Sequence, residues 1–219
     1  MGYQFNWSAV FNPLEWLNAA LVTLTYAFGT TIAGALLGVV VGVALISHRR
    51  WVRVPARCYV GFFRCTPLLV QIVWFYYALP ILSGLTISAW MASGLGMSLY
   101  MGAFSAEIFR GGIVSIERGQ WDAARALGLR HLPMMRKVIL PQAAQRMLRP
   151  FANQCILQLK NTSLLYVVAV PDLMYTSYEI SSRTYRPLEV YTLVALIYFV
   201  LLAPLTALVG RLEGKTASF

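Results

Sequence analysis

Apolar residues run almost unbroken from Leu17 to Ile46, and shorter apolar stretches follow near 62–82, 88–110, 151–170 and 188–209. A helix needs about 20 predominantly apolar residues to cross a bilayer, so each stretch reads as a membrane span. The first is longer than needed and should tilt or protrude. Basic residues collect in alternate gaps. His48, Arg49, Arg50, Arg53 and Arg57 follow the first span. Arg110, Arg118, Arg125, Arg130, Arg136, Lys137, Arg146 and Arg149 follow the third, and Arg211 and Lys215 the fifth. The turn at 83–87 has no charge, and 171–187 carries few in net. Basic loops stay on the cytoplasmic side. The pattern therefore predicts a single all-α membrane domain over 1–219, with about five spans, the N-terminus outside, the C-terminus inside and a cytoplasmic loop at 111–149. Trp7 and Trp16, in a segment free of Lys and Arg up to residue 15, are expected to anchor at the interface.

Three features refine the spans. Gly34, Gly38 and Gly42 recur every four residues, which puts them on one helix face and permits close approach of another backbone. Pro67 should start or kink the second helix, and Gln71 behind it needs a polar partner. The fourth span holds Asn153, Gln154, Gln158, Lys160, Asn161, Thr162 and Ser163 before an apolar run. Polar groups at membrane depth usually face a cavity or a partner helix. A broken or distorted helix is expected there, with Asn161, Thr162 or Ser163 able to cap a new start; a plain helix that begins later is the alternative. Composition agrees with membrane integration: mean hydropathy is +0.63 and only 12% of residues are charged, about half the soluble norm. The net charge of +10 would suggest nucleic acid in a soluble chain, but here it reports orientation. Cys58, Cys65 and Cys155 lack disulfide or metal spacing. No basic leader with a small-residue cleavage site is evident, so a removable signal peptide is not expected.

The most informative stretch is Asp122 to Pro141. Asp122-Ala123-Ala124-Arg125-Ala126-Leu127 favours a short helix, with Asp122 placed near its start. Gly128 should stop it in the left-handed conformation. Leu129 to Leu140 is expected to form a second short helix with Pro133 in its first turn, ended or bent at Pro141. An acid, two Ala, three residues, Gly, nine residues, an aliphatic, one residue, Leu and Pro resembles the EAA loop of permease subunits in bacterial ABC importers. Asp122 stands for the usual Glu and Val138 for the usual Ile.

Further blocks extend the likeness over about 17–210. Phe63-Arg64-Cys65-Thr66-Pro67-Leu68-Leu69-Val70-Gln71 resembles FRGTPLLVQ of polar-amino-acid permeases, with Cys65 in place of Gly. Ala106 to Ile116 resembles AEIxRGGIxSI, Val138 to Ala143 matches VILPQA, and Leu159 to Leu164 resembles LKDTSL with Asn161 in place of Asp. Glu117 departs from a common Pro. The resemblance implies a type I ABC importer permease of the histidine/arginine/glutamine/glutamate class in the bacterial inner membrane. It implies that Asp122, Ala123, Ala124, Gly128, Leu140 and Pro141 couple to a cytoplasmic ATPase dimer that binds ATP and Mg. It also implies a second permease chain, the same or related, an extracytoplasmic amino-acid-binding protein and an amino-acid cargo moved by alternating access.

This chain shows no ATP site of its own. Gly210, Gly214, Lys215 and Thr216 lie one residue short of a phosphate-loop spacing and follow a span rather than a strand. His48 and His131 lie in basic loops away from other ligand types. No cofactor, metal or catalytic set is therefore expected in this chain. Candidates for the substrate path are Gln71, Glu107, Asn153, Gln154, Gln158 and Lys160. Glu107 either binds a cationic group of the cargo or pairs with Arg64 or Arg110, the latter three residues on. Each neutral side chain serves either the cargo or a neighbouring helix, and Lys160 either binds a carboxylate or holds the helix break together. Two other classes stay open: an ion-coupled secondary transporter, which needs titratable groups at mid-membrane, and a membrane-embedded enzyme, which needs turnover by the isolated chain.

Overall fold

Small residues decide how the bundle assembles. A computed structural model describes the backbone of residues 3–216 and the side chains of 3–211. Helix α1 (Pro13–Ile46) lies along α5 (Ala89–Val114), and the glycine stripe forms the seam. A methyl group placed on Gly34 would come 2.5 Å from Cβ of Met101, and one on Gly42 would come 3.1 Å from the Ala106 carbonyl. Gly38 faces Ser105 just as tightly. The expected packing role of the stripe is thus visible atom by atom. Polar bonds fasten the same seam. The Tyr26 hydroxyl donates to the Trp90 carbonyl at 2.8 Å, and Gln158 Nε2 donates to Thr30 Oγ1 at 2.9 Å and to the Met97 carbonyl at 3.1 Å.

Helix α2 (Arg50–Cys65) is followed, after a turn of 106°, by α3 (Leu68–Val73) and α4 (Leu79–Ser83). The helix therefore begins well before residue 62, and the basic run after α1 is mostly helical rather than loop. Pro67 caps α3 in extended conformation, as its fixed ring favours. Between α3 and α4 lies one π-turn, Trp74–Ala78, closed by the Leu79 N–H on the Trp74 carbonyl. Pro80 comes next. A proline offers no N–H and crowds the carbonyl four residues back, and the wider turn accommodates both defects.

The same device recurs at Pro141. After α6 (Arg118–Ala126), α7 (His131–Met134) runs through a π-turn, Met135–Ile139, into α8 (Leu140–Asn161). Leu140 N–H closes that turn on the Met135 carbonyl. Pro141 therefore does not end the helix; it stands in the first turn of α8, where its missing donor is harmless.

Beyond Asn161 the helix tightens into a 3-10 stretch, Thr162–Val168, that stops at left-handed Ala169 (φ 56°). This is the expected distortion, but without a side-chain cap. The Thr162 and Ser163 hydroxyls donate backwards, to the Leu159 and Lys160 carbonyls. Residues 171–187 are not merely a connecting segment. Asp172 caps α9 (Leu173–Thr184) through the Tyr175 N–H at 2.9 Å, and α10 (Pro187–Thr216) follows. Gly214 and Thr216 belong to α10, and the side chain of Lys215 lies outside the described residues.

Helices α1 and α10 are each long and apolar enough to cross a membrane, and the bent pair α2 with α3–α4 forms a third candidate. Helix α5 is not among them; it buries Ala92, Met97, Met101, Ala103 and Ala106 against protein. Trp16 differs from its expected interfacial place: it is 4% exposed, packed with Leu173, Ile180 and Val190, and its indole donates to the Val10 carbonyl at 3.0 Å. Nearby, Glu189 is fully buried and accepts from Tyr3, the Asn6 N–H and Arg186, so its charge is matched by donors.

The seam yields a direct test. Gly38→Leu should cost about 1–3 kcal/mol through overpacking against Ser105. Gly29→Ala, at a position with open space around it, should be neutral or slightly stabilising. Thermal melts of the purified protein in detergent read both; equal melting of the two variants would remove the seam from the account.

Candidate functional site

At the end of the bundle opposite the chain's N-terminus, α6 forms a small projection. Helix capping explains its shape. Leu129 N–H bonds to the Ala124 carbonyl at 3.1 Å and Gly128 N–H to the Arg125 carbonyl at 2.9 Å. This pair of bonds is a Schellman motif, and it requires Gly128 to be left-handed, at φ 72°. Ala124 is the one wholly buried residue of α6; it packs with Ile116, Met134 and Ile139, and Leu129 joins them from beyond the turn. Gln142 Nε2 reaches Gln120 Oε1 at 3.1 Å, tying the projection to α8.

The coupling candidates divide accordingly. Ala124 anchors the projection and Gly128 shapes it. Asp122 and Ala123 are exposed on its surface. Leu140 and Pro141 belong to the adjoining helix, both partly outward. Asp122 is not at the helix start: Glu117 occupies the cap position, four residues of α6 precede Asp122, and its carboxylate pairs with Arg125 at 3.1 Å. The helix begins at Arg118 despite Gly119, a poor helix former, because Ala124 packs on the bundle and holds the element in place. With both partners well exposed, that ion pair contributes little to stability. Leu127 and Leu132 add apolar area, 79% and 67% exposed.

The substrate-path candidates do not converge on one point. Gln71 serves the break between α2 and α3. Its Nε2 donates to the Phe63 carbonyl at 3.1 Å, the Thr66 carbonyl at 3.1 Å and Thr66 Oγ1 at 2.7 Å. It thereby satisfies carbonyls that the end of α2 leaves free. Gln158 is fully buried and bridges α8 to α1 and α5, as described above, and Gln154 is also buried. Glu107 is held by Arg110, with Nη2 at 2.8 Å and Nε at 3.1 Å. That is the intrahelical pair which the three-residue spacing allows.

Asn153 and Lys160 are different. Both are exposed on α8, seven residues apart, with Leu157 between them at 49% exposed. They form a polar stripe on the outside of the helix.

A second group escaped the sequence reading. Arg64, on the last turn of α2, is exposed and stacks over the Phe104 ring at 5.4 Å. Phe104 packs on Tyr100 with ring centroids 4.6 Å apart. A cation and two rings thus connect the break after α2 to the middle of α5. The four-residue spacing of Tyr100 and Phe104 signals a shared face, but nothing in the sequence brings Arg64 to it.

Comparison with known proteins supplies the rest. Residues 34–218 match the family described as binding-protein-dependent transport system inner membrane component. The glutamine transport system permease protein GlnP of Escherichia coli is 34% identical over 214 residues, 97% of this chain and 98% of that one. The histidine/lysine/arginine/ornithine transport system permease protein HisM of Salmonella typhimurium is 34% identical over 203 residues, 89% and 86% of the two chains. A solved structure described as an amino acid ABC transporter with histidines superposes with a TM-score of 0.91 at 31% identity, covering 97% of this chain and 100% of that one. A chain of the methionine transporter MetNI, facing inward, superposes at 0.77 and 20% identity over 93% and 97%, which shows a shared fold. A helical chain with a capped projection beside a long helical rod, matched across nearly its whole length, belongs to the inner-membrane permease components of binding-protein-dependent ABC transport systems.

Proposed function

We propose that this chain forms the membrane path of an ATP-driven amino-acid uptake system and that α6 with the Gly128 turn is its docking element for a separate ATPase. The observation that carries the reading is the projection itself. Buried Ala124 holds it to the bundle, while Ala123, Leu127 and Leu132 are left uncovered beside Arg118, Arg125 and Arg130. Apolar area ringed by charge is what a partner surface requires. The amino-acid cargo rests on relatives named for glutamine and for basic amino acids.

In this reading two permease chains, identical or related, enclose the path, and an outer binding protein delivers the amino acid. The partner ATPase pair binds ATP and Mg. Its closure draws in the docking elements, and the spans exchange an inward for an outward opening. The stripe of Asn153 and Lys160 faces the path, because polar groups at membrane depth require water, cargo or a partner. Lys160 offers its ammonium to the cargo carboxylate. The Gln71 and Gln158 amide nitrogens serve the scaffold and Glu107 holds Arg110, and the two unmet glutamine oxygens are the atoms of this group left to meet cargo or water. The spans are α1, α2 with α3–α4, α5, α8 and α10, with the N-terminus outside and the α5–α8 connection in the cytoplasm.

Gly128→Val places a β-branched residue at positive φ and should reduce ATPase co-purification and stimulated ATP hydrolysis at least tenfold, at a strain of about 1–2 kcal/mol. Gly128→Asn, which tolerates that conformation, should retain most of both. Normal co-purification of the Val variant would sink the docking role. Lys160→Gln should raise the amino-acid concentration for half-maximal uptake by about tenfold, one charge-assisted bond, with the complex still assembled. Unchanged uptake would place the stripe against the second permease chain instead.

A further inference from the structure

Where α1 ends, α2 begins and α5 ends, the three helices line a half-open pocket of about 380 Å³, with Arg53 half-buried and Arg57 exposed at its mouth. Arg53 and Arg57 of α2, Arg110 and Glu107 of α5, and His48 from the intervening turn supply its polar lining. Leu45 and Val114 close an apolar side. Three guanidinium groups therefore meet one carboxylate, and Arg110 engages that carboxylate through two bonds, at 2.8 and 3.1 Å. Among the described residues neither Arg53 nor Arg57 has an ion-pair partner. Arg53 Nε is buried with no hydrogen-bond acceptor. A buried donor left unmet is costly, more so when charged.

The neighbourhood says what kind of anion would fit. Trp51, between the cap of α2 and Arg53, is 93% exposed, and Val52 and Val54 are about half exposed beside it, at 43% and 52%. Tryptophan favours the level of lipid headgroups, and aliphatic side chains next to it favour acyl chains. The cavity thus adjoins a surface suited to lipid on one side and presents free guanidinium groups on the other. A guanidinium fork matches two oxygens of a phosphate. Basic pockets between membrane helices near the cytoplasmic face attract anionic headgroups.

We propose that this cavity binds the phosphodiester headgroup of an anionic phospholipid, gripped by Arg53 and Arg57, with Arg110 held by Glu107 as a third wall. The proposal rests on the chain being a membrane protein with this end of the bundle at the cytoplasmic face, and not on the identity of its cargo.

The test uses the assembled importer, purified in detergent and exposed to equal amounts of phosphatidylglycerol and phosphatidylcholine. Retained lipid is read by native mass spectrometry. Phosphatidylglycerol should be retained in clear preference. Arg53→Gln combined with Arg57→Gln should weaken that retention about thirtyfold, the product of two surface-charge contributions. Arg136→Gln, an exposed cation away from the cavity, should leave it unchanged. Equal retention of the two lipids, or full retention by the double variant, would overturn the proposal. Inorganic phosphate should not displace the lipid; displacement at millimolar phosphate would assign the cavity to a soluble anion and overturn it too. If the double variant does not assemble, the competition on the unaltered importer decides alone. Transport activity enters none of these readouts, so failure of the amino-acid assignment would leave the result standing.

Discussion

The close approach of α1 and α5 is the constraint on which the other positions depend. Lipid tails are as apolar as leucine, so little hydrophobic force draws helices together inside a bilayer. Packing must do it, and packing improves as backbones come nearer. Gly34, Gly38 and Gly42 remove the side chains that would hold α1 away from Met101, Ser105 and Ala106. With that pair fixed, Tyr59 of α2 reaches the Leu99 carbonyl at 2.6 Å, and Gln158 of α8 bridges both members of the pair. The broken helix and the long rod are therefore positioned against one rigid couple.

Two local rules then shape the moving parts. Leu79-Pro80 and Leu140-Pro141 each follow a π-turn, so proline acts here as a reason to widen a helix rather than to stop it. At Pro67 the outcome is opposite, because the preceding Thr66 is already extended and the chain turns through 106°. Gln71 then supplies donors to the exposed helix end. The difference lies in what precedes each proline, a continuous helix in two cases and a finished one in the third.

Much of this was legible in the sequence. The glycine stripe could be read because a four-residue period has one structural meaning on a helix, and Gly128 because its stop needs positive φ. The tightening near Asn161 could be read from polar residues too dense for lipid. Other features depend on contacts that no local pattern carries. Trp16 is buried because α9 folds back over it, and α9 lies in a stretch that charge marked only as an outer segment. Asp122 is mid-helix because the helix extends back to Arg118. Pro141 is continuous with α8 because a π-turn absorbs it, and periodicity does not announce π-turns. Of the candidate site residues, Gln71, Gln158 and Glu107 were recognised as polar and in need of partners; three dimensions show helix partners for the Gln71 and Gln158 amide nitrogens and Arg110 for Glu107, while the two glutamine oxygens stay buried and unmet. The stack of Arg64, Phe104 and Tyr100 joins residues some forty positions apart and was hidden for that reason.

The absence of a stop at Pro141 has a mechanical consequence. From His131 to Asn161 the chain is one continuous shaft, about 45 Å long at the usual helical rise. Its foot is bolted to α6 by Gln142 and its tip ends in the 3-10 coil before Ala169. A continuous helix absorbs little of a push at one end, and Pro150 is where the hydrogen bonding of α8 is interrupted. Leverage applied near Gln142 is carried along α8 toward the 3-10 coil, and Pro150, part-way along, is the hinge that decides how much of it arrives.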